Sequence, residues 1–522
     1  MAPDGKQLGP DLRERTRAWT GKLPREHAAM AVGVAVGLAL LVGVPFFAAT
    51  TFIGDDHLFL AFSRYAPNPL LAFVHDQHGG EFYRPLPMLL WWGLGRLAPA
   101  TPAAFGALAL LLHLTVAALT GHLILIVEGD RRVAAAAALL FFVAPSTREA
   151  AYWYSASTDL LATAFGLGAI GALARGRRGL AVALFAAACW SKETAVVLPM
   201  VAAVALAMRE PETRSAAVAK RVAVFIPVVA AYAVVRTLVL HGVGGSGDVA
   251  APWGGKAVQL AAGLLHAVTG TQILSEPIAL TVGMTAWALL ILGVARAARR
   301  PGPRLGAAGP AVILVLTILP LPAAPWIVGA RYFYFPAVAI AWLAAARLRR
   351  VPVPVLVGVV CALAGLGLGQ DLARRGEVTA YEARLAEARR GVVSGLAAGF
   401  TTFHVDAGIK DLDLAVKEDP RVRGREAALL VLGDVPASFV ALPAEGGPDV
   451  DFLLARPPLP PAGAYRFGAH RVVGLAREGD DPTLDDVTRR FPRLRFLRLR
   501  PGPNGRVIAR DVTETRMETG EE

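Results

Sequence analysis

RGRRGLAVALFAAACWSKETAVVLPMVAAVALAMRE, residues 175–210, carries basic clusters at both ends of an apolar stretch that is interrupted once, at Ser191-Lys192-Glu193. Basic clusters between apolar segments mark one side of a membrane, so this stretch must leave that side and return to it. Residues 179–208 are short for two full spans, since one span needs about 20 residues. The segment therefore predicts two short or tilted helices that turn at Ser191–Glu193, with a charged pair at the turn.

The rest of the chain extends this reading. Its 522 residues are 55% hydrophobic and 18% charged, and a mean hydropathy of +0.49 is too high for a soluble protein of this size. This describes a polytopic α-helical membrane protein. The net charge of +12 resides largely in the basic clusters, as topology determinants do, and so does not point to nucleic acid. Cys189 and Cys361 lie far apart within apolar runs, which argues against a metal framework and a disulfide.

Lys6, Arg13, Arg15, Arg17, Lys22 and Arg25 precede an apolar run at 29–53 that is too long for a signal peptide. It is read as a first span with residues 1–28 in the cytoplasm. The basic sites at 128–132, 175–178, 209–221, 296–304 and 347–350 then fall on the cytoplasmic side. Between them spans are predicted at 103–127, 132–146, 159–174, 220–240, 277–295, 307–323, 331–346 and 352–370. With the first span and the pair at 179–208 this gives about eleven spans and an external C-terminus. A membrane domain over 29–370 is thus expected, with a first external loop at 54–102. Residues 84–98 suit an interfacial helix, and 256–270 an interfacial or re-entrant one.

From residue 371 the character changes. EVTAYEARLAEARR (377–390) reads as an exposed helix with charges three and four residues apart. ALLVLGDV (428–435), SFVALPA (438–444) and RRFPRLRFLRLR (489–500) read as short strands, with PPLPPAG (457–463) as a break. A small soluble α/β domain outside the membrane is expected over 371–522, with METGEE as a disordered tail.

On this topology one set of polar residues shares the external side: Asp55, Asp56 and His57, HDQHGGEFYR (75–84), PSTREAAYWYSASTD (145–159), Lys192-Glu193 and Arg331-Tyr332. Independent loops have no reason to agree in this way, and ionisable groups at membrane depth are costly enough to imply a function. A single outward-opening polar cavity is expected. Gly54-Asp55 alone is a usual way to end a helix in water, which accounts for one aspartate more easily than for two.

GDDH (54–57), FYRPLPMLL (82–90), LLLH (110–113), STREAAYWYSASTDLLA (146–162), WSKETAVVLP (190–199) and ARYFYFP (330–336) occur in that order. This ordered set resembles the multi-span GT-C glycosyltransferases, most of all the branch with the protein O-mannosyltransferases and TMTC-type enzymes. The resemblance covers about residues 29–350; the chain lacks the tetratricopeptide repeats of the TMTC enzymes and has its own C-terminal region.

The resemblance implies transfer of a sugar, with inversion, from a polyprenyl-phosphate carrier to an acceptor hydroxyl on the outer face. It implies Asp56 as general base, with Asp55 orienting the acceptor or a cation; a pair this close would titrate as a coupled system. Arg84, Lys192, Arg331 and Tyr332, with Tyr83 and Glu193, are the candidates for binding donor phosphate or sugar. Snorkelling is the alternative for Arg84, an aromatic belt for Tyr332 and Tyr334, and a structural ion pair for Lys192-Glu193. Arg148, Glu149 and Asp159 are further candidates, with surface solvation the preferred reading of Arg148. His113 reads as a packing or interhelical hydrogen-bonding residue. His57, His75, Asp76 and His78 have the composition of a metal site without the spacing of a closed zinc site, which leaves a divalent cation open.

The richness in Ala, Gly, Pro and Arg points to a GC-rich bacterial genome, hence to undecaprenyl phosphate as carrier and the cytoplasmic membrane as location. Rival classes are an oligosaccharide ligase or polymerase of the cell envelope, a transporter and a membrane scaffold. The first is expected to carry a large external loop late in the span order, the second an internal repeat. Neither is seen. A scaffold needs no twin aspartates.

Overall fold

The computed structural model describes residues 52, 56, 59–60, 62–63, 68–74, 82–98, 101–242, 308–318 and 330–397, isolated positions in 281–292, and six later strands. The first span and the segment 256–270 lie outside the described residues, as does most of 277–295.

Helix α1 (Pro85–Leu97) is followed by α2 (Pro102–Glu128), α3 (Arg131–Val143) and α4 (Pro145–Tyr152). Pro occupies the first turn of α1, α2 and α4, where its missing N–H costs nothing and its fixed φ already suits a helix. Gly129, at φ 72°, ends α2 in the left-handed conformation that other residues resist. Asp130 then caps α3 by accepting from the backbone N–H groups of Arg132 and Val133, at 2.9 and 3.2 Å. Two long helices are thereby reversed within two residues.

The span expected at 132–146 is not straight. It breaks at Ala144-Pro145, and α4 leaves α3 at 56°, because Pro145 cannot continue the hydrogen-bond ladder and pushes Ala144 out of the helical region.

Helix α5 (Ser157–Ala174) is buried almost throughout and packs on α2 and on α6 (Arg178–Ser191). Two short helices joined by a turn at Ser191–Glu193 appear as expected. α6 ends at Ser191, Glu193–Val197 forms a 3-10 turn, and α7 (Leu198–Arg209) returns. Helices α8 (Ser215–Val222) and α9 (Ile226–Leu240), joined through Ala223–Phe225, make one 26-residue apolar span. Helices α10 (Gly309–Ile318) and α11 (Tyr334–Arg347) follow, the latter entered through a 3-10 turn at Ala330–Phe333. Among the described residues three helices are long and apolar enough to cross a membrane, and the bent α3–α4 pair makes a fourth.

The span at 352–370 and the charged helix after it are a single helix, α12 (Val353–Ala397), of 45 residues. Nothing between Gly369 and Arg390 breaks a helix, and the switch from apolar to charged residues marks only where its surroundings change.

Strands β1 (Thr402–Asp406), β2 (Ala428–Leu432), β5 (Phe496–Pro501) and β6 (Val507–Asp511) form a sheet in the order β2-β1-β5-β6. β1 pairs in parallel with β2 and β5, and β5 and β6 are antiparallel. β3 (Ala464–Phe467) and β4 (His470–Val473) form a separate antiparallel pair. ALLVL, a continuous apolar run, and FLRLR, in which Leu and Arg alternate, are thus strands; SFVALPA lies outside the described residues.

The two ends of the helical body differ. Along one rim the basic loops touch one another: Arg349 pairs with Asp130, Arg132 donates to Val351 O, Trp342 Nε1 to Glu128, Arg209 to Ala174 O, and Arg221 to Glu210. These are loops assigned to a common side from their charge. The other predicted polar set gathers away from that rim.

Candidate active site

Asp56 is fully buried. The backbone N–H of Ser155 donates to its Oδ1 at 2.6 Å. Ser155 lies in the 3-10 turn Tyr154–Ala156 leading into α5, so the carboxylate is held by the entry to the most buried helix of the bundle. Around it Phe52, Phe59, Trp91, Phe105 and Tyr154 form an aromatic cluster, with Trp91 and Phe105 centroids 4.4 Å apart and Phe52 edge-on to Phe105 at 5.2 Å. Asp55 and His57 lie outside the described residues.

Two bidentate ion pairs occupy the turn between α6 and α7. Arg84, at the N-cap of α1, donates from Nε to Glu193 Oε2 at 3.0 Å and from Nη2 to Oε1 at 2.6 Å. Its guanidinium also covers the Phe82 ring at 4.2 Å. Lys192 Nζ reaches both oxygens of Asp159, at 2.6 and 2.7 Å, and lies 5.4 Å from the Tyr332 ring centroid. Lys192 and Glu193 therefore do not pair with each other. Lys192 is the extended C-cap of α6, with φ −160°, and Glu193 begins the next turn, so their side chains diverge to α5 and α1.

The Arg84 and Glu193 charges sustain each other. Burial favours the neutral acid of Glu193, but Arg84 in contact, and then Lys192, override it and hold its carboxyl at about 2. Burial alone would lower the Arg84 pKa, and Glu193 followed by Asp159 raises it above its ordinary value.

The contacts close a circuit. Asp56 is bonded to Ser155; Ser157, two residues on, accepts from Trp91 Nε1 at 3.1 Å; Asp159 holds Lys192; Glu193 holds Arg84; and Arg84 opens α1, which contains Trp91. Asp159 and Thr163 also line a narrow cleft with Thr194, Ala195 and Phe335. Arg331 joins from the other side, with its guanidinium 3.7 Å above the Trp153 ring and 5.3 Å from Tyr332. Tyr83 is buried and donates its hydroxyl to Phe73 O at 3.2 Å.

Arg148 corrects its reading as a solvated residue. It is 2% exposed and pairs with Asp371, because the bend at Pro145 turns α4 inward against α12. His113 has the interhelical role expected of it. Its Nε2 faces the carbonyl of Phe142 at 3.0 Å and so must carry the proton, which leaves Nδ1 to accept from Tyr334 OH at 2.9 Å.

Among the described residues no three His, Cys, Asp or Glu side chains gather as metal ligands; His57, His75, Asp76 and His78 lie outside them. Sequence reasoning missed Trp153 as the platform for Arg331 and Ser155 as the backbone donor to Asp56. Both lie in YWYSAS, a run already singled out, but which aromatic ring meets which cation is not a local property.

No protein-family model matches the chain, and no curated protein sequence does. Among solved structures, the crystal structure of ArnT from Cupriavidus metallidurans bound to undecaprenyl phosphate is similar, with a TM-score of 0.50 over 78% of this chain and 86% of that one. The chain shares its fold with that structure, and at 16% identity the likeness is one of fold.

Proposed function

We propose that this protein is a membrane glycosyltransferase that moves a sugar from a polyprenyl-phosphate carrier, most simply undecaprenyl phosphate, to an acceptor hydroxyl at the outer face of a bacterial cytoplasmic membrane. The observation that carries the reading is the connection, within one circuit of contacts, of a buried carboxylate on the first loop with cations from two separate elements. The similar structure, which holds undecaprenyl phosphate, supports the donor class.

In this reading Asp56 accepts the proton of the acceptor hydroxyl as its oxygen bonds to the anomeric carbon. The bond from that carbon to the phosphate oxygen breaks with its electron pair, and polyprenyl phosphate leaves. Inversion follows from attack opposite the leaving group. Charge grows on the phosphate as the bond breaks, so fixed cations act most strongly in the transition state. Arg84, Lys192 and Arg331 are assigned to it, with Tyr332 and Tyr83 lining the site and Asp55 beside Asp56. Glu193 and Asp159 hold Arg84 and Lys192 when no phosphate is present. Each cation is thereby kept in place without being left buried and uncompensated.

The test is release of polyprenyl phosphate from a panel of polyprenyl-phosphate sugars by the protein in lipid nanodiscs, comparing wild type with Asp56→Asn. Asparagine retains an oxygen for the Ser155 N–H and cannot take the proton. Equal turnover by the two proteins removes Asp56 from the chemistry, and no turnover of any donor, with acceptor glycans and peptides supplied, removes the class.

A further inference from the structure

Helix α4 carries two adjacent charges that engage different elements. Arg148 lies against Asp371 of α12, and Tyr152, one turn further along α4, donates its hydroxyl to the same carboxylate at 2.9 Å. Asp371 is 9% exposed in this pair and Arg148 3%. One turn before Asp371, Gly367 makes room: a Cβ there would lie 2.6 Å from Arg148 Nη1 and 2.7 Å from its Cδ. The next residue of α4, Glu149, accepts the backbone N–H of Arg331 on its Oε2 at 3.1 Å.

Helix α4 is too short and too sharply bent away from α3 to be located by its own span. Its place is set by what its side chains hold. A buried ion pair adds little net stability, because desolvation offsets attraction, but it tolerates few geometries. α12 is able to transmit position, since a continuous helix of 45 residues is about 68 Å long. It crosses the level of α4 and runs on to lie beside β5 and β6.

We propose that Arg148 and Asp371 are positioning residues: their pair fixes α4 on α12 and, through Glu149, sets the place of Arg331. Donor binding then depends on α12 and on the strands that lie beside it. This consequence rests on the role given to Arg331 above, whereas the coupling from Asp371 to the Arg331 amide does not.

The experiment is amide hydrogen exchange on the full chain in lipid nanodiscs, read in peptides covering 330–334 and, as reference, 309–318. Wild type is compared with Asp371→Asn, with Glu149→Leu, which removes the acceptor, and with Gly367→Ala, which displaces Arg148 without removing a charge. All three are expected to speed exchange at the Arg331 amide, by about tenfold if local opening is what the pair opposes, and to leave the reference peptide unchanged. In transfer assays Asp371→Asn is expected to raise the donor KM several-fold and to leave the acceptor KM unchanged, with no further rise when Glu149→Leu is added. Unchanged exchange at Arg331 in Asp371→Asn and Gly367→Ala overturns the proposal. An equal rise in both peptides also overturns it, because the pair would then serve stability alone. A wild type that transfers no sugar ends the functional reading, while the exchange result still decides the coupling.

Discussion

The two rims of this helical body use the same ion-pairing residues for different ends. At the basic rim Arg349 is 63% exposed beside Asp130, and Arg221 and Glu210 are 24% and 31% exposed. At the opposite rim Arg84 and Glu193 are 16% and 32% exposed, and of these two pairs only Lys192–Asp159, at 7% and 10%, is buried. Exposed pairs are screened and hold their geometry weakly, so those at the basic rim close loops and keep charge on one side. Buried pairs are costly to assemble and more costly to leave half made. A membrane protein that needed only to orient itself would have no use for the second kind, and the proposed site is placed at that rim because a buried pair and a buried Asp56 both connect there to the entry of α5.

The sharpest way to break this contrast is Asp56→Asn. Donor turnover is expected to fall by about 10²- to 10⁴-fold, as loss of a general base does, with the thermal midpoint retained. A mutant that unfolds early would instead make Asp56 part of the structural frame.

Next in size is the Lys192 pair. Lys192→Met is expected to cost about 3–5 kcal/mol by leaving Asp159 buried without a partner, whereas the double variant with Asp159→Asn recovers most of that loss. Chemical denaturation in detergent measures both, and equal losses in single and double variants would show that the pair contributes nothing as a pair.

The Arg84 pair allows a test by pH. The folded Glu193 carboxyl sits at about 2, below the roughly 4.3 of an unfolded glutamate. A depressed acid stabilises the fold fully above its unfolded value, and that stabilisation is lost as pH falls through the folded one. The gap in thermal midpoint between wild type and Glu193→Gln is therefore expected to be constant above about pH 5 and to close as pH falls from there toward 2. A gap that persists at pH 2 assigns the effect to packing.

The smallest effect belongs to the basic rim. Arg349→Ala is expected to change stability by only about 0–1 kcal/mol, and to leave donor turnover unaltered. A loss comparable to that of Lys192→Met would erase the distinction between the rims.

Much of this was legible in the sequence because hydropathy and charge are local. The two helices turning at Ser191–Glu193, the ends of α2 and the membership of the basic rim all follow from runs of residues and the charges between them. The candidate site was legible as a set of residues. Lys192-Glu193 was read as a pair because the two are adjacent, and Arg148 as solvated because it stands in a polar run. Adjacent side chains on an extended residue and the turn after it point apart, and a polar run bent inward by Pro145 is no longer at the surface.

The sequence by itself therefore determined which segments are apolar enough to cross a membrane and which basic loops share a rim, since the cost of placing polar groups in lipid is paid segment by segment. Only the tertiary structure decided the partners: Glu193 with Arg84, Lys192 with Asp159, Arg148 with Asp371, and Asp56 with the Ser155 amide. An ion pair is chosen by which helices pack together, and that choice depends on the fit of every apolar face between them.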